Sequence, residues 1–138
     1  MLANRVREYT VTTGDGHITL GGALPAHIPF AEAFSVGDSV TYVIEDGDNY
    51  EIGTGTLTAT DTLARTSVGE TLVDGVYSKE GAAPIDLSGN ARVFCAVTAD
   101  FLLDPVIEVD AIGEASSGAG VVVEDILIKD ASISAANS

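Results

Sequence analysis

Glu45, Asp46, Asp48 and Asn49 place four oxygen ligands around Gly47 in the run EDGDN, where they could hold a hard cation such as Ca²⁺. The spacing argues for something simpler. An EF-hand loop alternates Asp or Asn, has a central Gly and ends on a Glu at the twelfth position, and that pattern is absent here. Asp, Asn and Gly are also the ordinary residues of a tight turn. His17 and His27 flank Gly21-Gly22 with no third ligand at a spacing useful for zinc. Cys95 is the one cysteine, which excludes an intrachain disulfide and a cysteine-based zinc site. In its alternating segment, 91–97, it reads as a small buried core residue, with a reactive thiol as the alternative. Ser116-Ser117 lacks the GxSxG strand-to-helix context of a nucleophile. Gly53 and Gly55 sit in a strand pattern and open no helix, so they do not form a phosphate cradle. No nucleophile, base and orienting group can be assigned together, and the expectation is no catalytic residue, no cofactor and no metal.

Function must then reside in what the chain attaches to, and its charge restricts the choices. Six Lys plus Arg against 21 Asp plus Glu give a formal net charge of −15. Nucleic acid and anionic membrane surfaces are disfavoured, and neither is expected as a partner, because both are bound largely by neutralising phosphates. Strong acidity favours solubility at high local concentration. Arg5 and Arg7 form a small positive N-terminal arm that could dock on an acidic neighbour or on the next subunit, or else fray into solvent. Arg65 and Arg92 are isolated cations that could pair with the acidic turns. No apolar run approaches the ~20 residues of a membrane span. The N-terminus lacks the apolar core of a secretory signal, so the protein is expected to stay soluble in the cell that makes it.

The elements that would position these groups are short strands. Residues 7–13, REYTVTT, and 17–20, HITL, flank Gly14-Asp15-Gly16 and read as a first hairpin. Pro29 begins one helical turn that sets Phe30 and Phe34 on one face, where they would plug one end of a core. Residues 38–44 and 50–60 alternate on either side of the EDGDN turn. In the second of these, Glu51, Gly53, Gly55 and Leu57 share a face opposite Tyr50, Ile52 and Thr54. The two glycines mark a bulge or a place where another backbone or ring packs closely. Residues 63–68 form a further strand, 69–87 read as irregular, and 91–97 close the domain. The expected fold is all-β, an antiparallel sandwich or barrel over residues 1–100 with one short helical turn.

Beyond Asp100 the texture changes to two alternating apolar runs, 106–112 and 121–133, joined by EASSGAG. Residues 101–138 are expected to form a β-ribbon that pairs with the domain or with symmetry-related copies, with Val121, Val123, Ile126 and Ile128 at the oligomer interface.

Several of these residues together resemble a family of small all-β virion proteins of tailed bacteriophages. The likeness rests on Asn4-Arg5-Val6-Arg7-Glu8, Gly14-x-Gly16-x-Ile18-x-Leu20, Phe30-Ala31-x-Ala33-Phe34 and Tyr42-x-Ile44-x-Asp46-Gly47. It continues through Glu51-x-Gly53-x-Gly55-Thr56, Leu63-x-Arg65-Thr66 and Val93-Phe94. Family members usually carry Trp where this chain has Tyr50. The resemblance implies a non-enzymatic structural module of the virion: a capsid decoration, head-spike base or fibre-anchoring protein. Its implied partners are major capsid or tail proteins and further copies of itself, as a trimer. With Ser138 as the last residue, a distal receptor-binding knob is not expected. The alternative is a virion-surface carbohydrate-binding module with Tyr42, Tyr50 or Tyr77 as stacking platforms.

Overall fold

A computed structural model describes residues 1–102 of the protein. Phe101 and Leu102, the first residues of the expected ribbon, end a short helix, while the rest of the ribbon, its interface residues Val121, Val123, Ile126 and Ile128, and Ser116-Ser117 lie outside the described residues. The described part is an antiparallel β-structure with two short helices. Its strands are β1 (Arg7–Thr10), β2 (Thr13–Gly14), β3 (Ile18–Thr19), β4 (Ser39–Asp46), β5 (Asn49–Ala59), β6 (Thr62–Val73), β7 (Val76–Ser78), β8 (Leu87–Ser88) and β9 (Ala91–Cys95). The helices are α1 (Phe30–Ala33) and α2 (Ala99–Leu102).

The main sheet runs in the order β1-β9-β4-β5-β6-β3, with β7 also paired to β6, and β2 and β8 form a separate two-stranded ribbon. This sheet nearly closes as a barrel. Leu20 prolongs the β3 side by donating its N–H to Asp61 O at 2.7 Å. The next residues turn onto β1: Gly21 N–H donates to Tyr9 O, Tyr9 N–H to Gly22 O and Leu24 N–H to Arg7 O, at 2.8 to 3.0 Å. The stretch 20–24 thus joins the two edges of the sheet and leaves fewer unpaired backbone groups at a rim.

The first hairpin expected from the sequence is corrected by this topology. β1 pairs with β9, with Arg7 opposite Phe94, while β3 pairs with β6, with Ile18 opposite Leu63. The turn between them is lifted away because β2 pairs with β8 and because the Gly14 and Gly16 carbonyls accept hydrogen bonds from Arg65. The segment 69–87 is likewise more regular than expected. β6 continues to Val73, and Asp74 and Gly75, with φ of 51° and 79°, turn the chain into β7. Two consecutive residues of positive φ are the requirement of a type I′ hairpin turn, and Asp-Gly is a preferred pair for it.

The expected strand 7–13 breaks after Thr10, the strand 91–97 ends at Cys95, and a second short helix, α2, is present besides the one expected turn; the β4–β5 hairpin and the Phe30–Phe34 turn agree with the structure. β4 and β5 are joined through Gly47-Asp48, with Gly47 at φ 61°. Phe34 N–H donates to Phe30 O at 2.8 Å in the single helical turn, and the two rings lie 5.9 Å apart in the core. Around them are the buried side chains of Val6, Ile18, Val40, Ile44, Leu57, Leu63, Ile85 and Val93.

Candidate functional site

The interior of the barrel contains charge as well as hydrocarbon, and register explains how it gets there. Glu8 lies opposite Val93, Val93 opposite Ile44, Ile44 opposite Glu51 and Glu51 opposite Thr71, and all five are buried. Period-two alternation puts every member of such a row on one face. Each buried carboxylate then holds a chain segment that crosses an end or an edge of the barrel. Glu8 accepts the N–H groups of Gly22 and Phe30, at 3.1 and 2.8 Å. Asp46, 8% exposed, accepts the Ser88 N–H at 2.7 Å and the Ser88 hydroxyl on its other oxygen.

Glu51 is the centre of the largest such group. It is fully buried and accepts the Tyr42 hydroxyl at 2.6 Å on Oε1, and on Oε2 the Arg65 Nη1 at 2.9 Å and the Ile85 N–H at 2.8 Å. Arg65, with its side chain 2% exposed, gives its remaining bonds to the carbonyls of Gly14, Gly16 and Ile85. One guanidinium therefore fastens both the 14–16 turn and the 85 segment onto the barrel. A planar fork of five donors suits such a junction better than an ammonium. Burial, and next the bond to Glu51, push the Tyr42 phenol far above its ordinary value, while the charge of Arg65 acts in the opposite direction.

The Tyr42 ring needs the two glycines of β5. Tyr42 lies opposite Gly53. A Cβ on Gly53 would collide with Ser67 O and come within 2.7 Å of the Tyr42 hydroxyl; one on Gly55 would meet Ala64 O at 2.6 Å and Tyr42 Cδ1 at 3.1 Å. Register shifts fall between Ile52 and Gly53 and between Thr54 and Gly55. Bulge and close ring packing therefore occur together at this place in β5.

The outer face is built from the same registers with opposite parity. One row carries Arg7, Phe94, Val43, Ile52 and Glu70 across five strands. The next carries Tyr9, Arg92, Glu45, Tyr50, Leu72 and Tyr77 across six. Arg7 pairs with Glu45 at 2.8 Å and lies 4.9 Å from the Phe94 ring centre, and Arg92 lies 5.9 Å from that of Tyr9. These are cation–π distances. Glu70 accepts the hydroxyls of Tyr50 and Tyr77 on its two oxygens, at 3.0 and 3.3 Å, and Lys79 lies 3.9 Å away. Desolvation and the bond to Glu70 raise the Tyr50 pKa, and the bond to Asp100 raises that of Lys79. A hollow of about 570 Å³ opens on this face between the hairpin turn of β4 and β5, Tyr50, Asn90 and Arg92.

Several residues singled out in the sequence stand differently in three dimensions. Tyr42 is buried and cannot serve as a stacking platform, whereas Tyr50 is half-buried and Tyr77 is exposed. Arg65 pairs with a buried strand carboxylate and Arg92 with a ring, where pairing with acidic turns was expected. Arg5 is exposed and donates twice to Ala26 O, so both Arg5 and Arg7 have partners within the chain. Cys95 packs against the core while remaining half-buried, and its sulfur accepts the Ala3 N–H at 3.4 Å. His17 is exposed, and His27 Nδ1 lies 2.9 Å from Pro25 O. In the EDGDN turn, Glu45 and Asp46 are turned to Arg7 and Ser88. Among the described residues, no three His, Cys, Asp or Glu converge as metal ligands, and no helix is long and apolar enough to cross a membrane.

Sequence reasoning missed the roles of Glu8, Glu51, Tyr9 and Glu70. Two carried a signal: Glu8 ends the Asn4–Glu8 motif, and Glu51 shares the Gly53, Gly55 and Leu57 face that the glycines mark as closely packed. Compared with protein-family models, curated proteins and solved structures, the chain has no match.

Proposed function

We propose that the protein is a non-enzymatic structural component of a bacteriophage virion, a capsid decoration or fibre- or spike-anchoring module that docks on the particle and self-associates as a trimer. The observation that supports this reading is the correspondence between the residues carrying the resemblance and the parts of the scaffold. Tyr42, Glu51, Gly53, Gly55 and Arg65, drawn from three separate motifs in the chain, interlock in one buried assembly. Within it Glu51 accepts three hydrogen bonds and Arg65 donates to three backbone carbonyls as well as to Glu51, so both ionisable groups are engaged in holding the scaffold. High net negative charge suits a protein that must remain soluble at high copy number before assembly.

Mass spectrometry of purified particles of the encoding phage tests the assignment: the protein should be present in stoichiometric amount, and its absence defeats the reading. Light scattering on the full chain and on a deletion of residues 113–138 tests the oligomer. The full chain should be trimeric and the deletion monomeric, and a monomer in both cases defeats self-association through that segment.

A further inference from the structure

The outer face of the β9-β4-β5-β6-β7 sheet combines a hollow, aligned tyrosines and fixed polar groups in one place. Tyr50 and Tyr77 stand in one row, two strands apart, which is roughly 10 Å at the usual strand spacing. Their hydroxyls converge on Glu70. The rings are therefore oriented before any ligand arrives, which lowers the entropy lost on binding. Tyr77 is 55% exposed and Tyr9, at the far end of the row under Arg92, is 43% exposed.

The hollow beside Tyr50 has a volume of about 570 Å³, within the range of ~300–1,000 Å³ usual for small-ligand sites. Val43, Ile52 and Tyr50 give it an apolar wall, while Asn90, Arg92 and Glu70 supply donors and acceptors around the wall. We infer that this hollow binds a neutral oligosaccharide, whose sugar rings lie against Tyr50 and continue along the row toward Tyr77. The C–H face of a sugar ring is apolar and its rim is a ring of hydroxyls, so it needs both kinds of wall at once.

Charge selects the class. The lining carries Glu45, Asp48 and Glu70 against Arg92 alone, and Glu45 is occupied by Arg7. With no surplus of positive charge, sulfated, phosphorylated or carboxylated glycans are disfavoured. A protein partner would favour a broader and flatter contact than a hollow with convergent polar groups. This inference does not depend on the virion assignment, and the two can fail separately.

Amide NMR of the full chain, titrated to millimolar concentration with neutral tetrasaccharides of the β-1,4-glucan, α-1,4-glucan and N-acetylglucosamine types, tests it. At least one should shift signals of the outer rows around Val43, Ile52, Glu70 and Arg92, and Tyr50→Ala should weaken its binding about tenfold or more. Tyr77→Ala, at an exposed site where the fold is not at stake, should weaken the same ligand several-fold. No shift with any of the three sugars, shifts confined to another surface, or affinity unchanged in both variants would overturn the inference. Concentration-dependent shifts on this face without sugar would also overturn it, by assigning the face to a second copy of the chain.

Discussion

Replacement of Glu51 by Gln isolates the charge at the centre of the barrel. The carboxamide has nearly the volume of the carboxylate, its oxygen can still accept the Arg65 Nη1 and the Ile85 N–H, and its NH₂ can donate to the Tyr42 oxygen. What disappears is the negative charge facing a guanidinium whose side chain is 2% exposed. Breaking a buried pair by neutralising one partner costs ~3–5 kcal/mol, and the surviving hydrogen bonds place this change near the lower end. A loss of about 3 kcal/mol is a large part of the ~5–15 kcal/mol that stabilises a typical domain. It should lower the melting temperature by roughly 10 °C.

The assay is urea unfolding of the full chain, followed by circular dichroism and by tyrosine fluorescence, which no Trp obscures. Amide exchange at Ile85 should accelerate, because its N–H is bonded to the altered group. Arg65→Met should be at least as harmful, since it also releases the carbonyls of Gly14, Gly16 and Ile85. The double variant should lose less than the sum of the two by ~0.5–3 kcal/mol, the range for groups in direct contact. A loss below about 1 kcal/mol in Glu51→Gln, with unchanged exchange at Ile85, would refute the claim that this pair fastens the barrel.

Three further outcomes follow from the same geometry. Gly53→Ala should cost ~1–3 kcal/mol in thermal or urea unfolding, because the added Cβ would overlap Ser67 O and the Tyr42 hydroxyl, whereas Thr54→Ala on the exposed side should cost little. Stability should fall as pH rises above about 10, where the unfolded state loses the Tyr42 proton and the folded state retains it. The slope should approach ~1.4 kcal/mol per pH unit for this one group, and unfolding titrations of Tyr42→Phe should lack that contribution. Asp46→Ala should cost ~1–3 kcal/mol by leaving Ser88 without its acceptor, with faster amide exchange at Ser88 as the local sign.

Much of the local structure is legible in the chain because it depends on neighbours in sequence. Alternation around Gly47-Asp48 predicts the β4–β5 hairpin, and Pro29, Phe30 and Phe34 predict the helical turn. The β6–β7 hairpin was legible too, since Asp74-Gly75 carries the turn signal, but glycine and proline farther along suggest irregularity and obscure it. The partner of β1 was not legible. A hairpin with residues 17–20 is the nearest choice, yet β9 takes one edge of β1 and residues 21–24 take the other. The same is true of the site residues: nothing local in Glu70 tells that two tyrosine hydroxyls will meet on it.

By itself, the sequence determined strand parity and the all-β class, because period-two alternation is a property of each extended segment whatever it pairs with. It thereby placed Glu51, Gly53 and Gly55 on one face and Tyr50 and Ile52 on the other. Tertiary structure alone decided which face turned inward and which strands met. Those outcomes arise from competition among distant edges for backbone partners and from closure of the sheet. Pairing of β4, β5, β6 and β7 in register brings Tyr42, Glu51 and Arg65 within hydrogen-bonding distance and lets Tyr50 and Tyr77 share a carboxylate on the outer face, while closure brings the 14–16 turn onto Arg65.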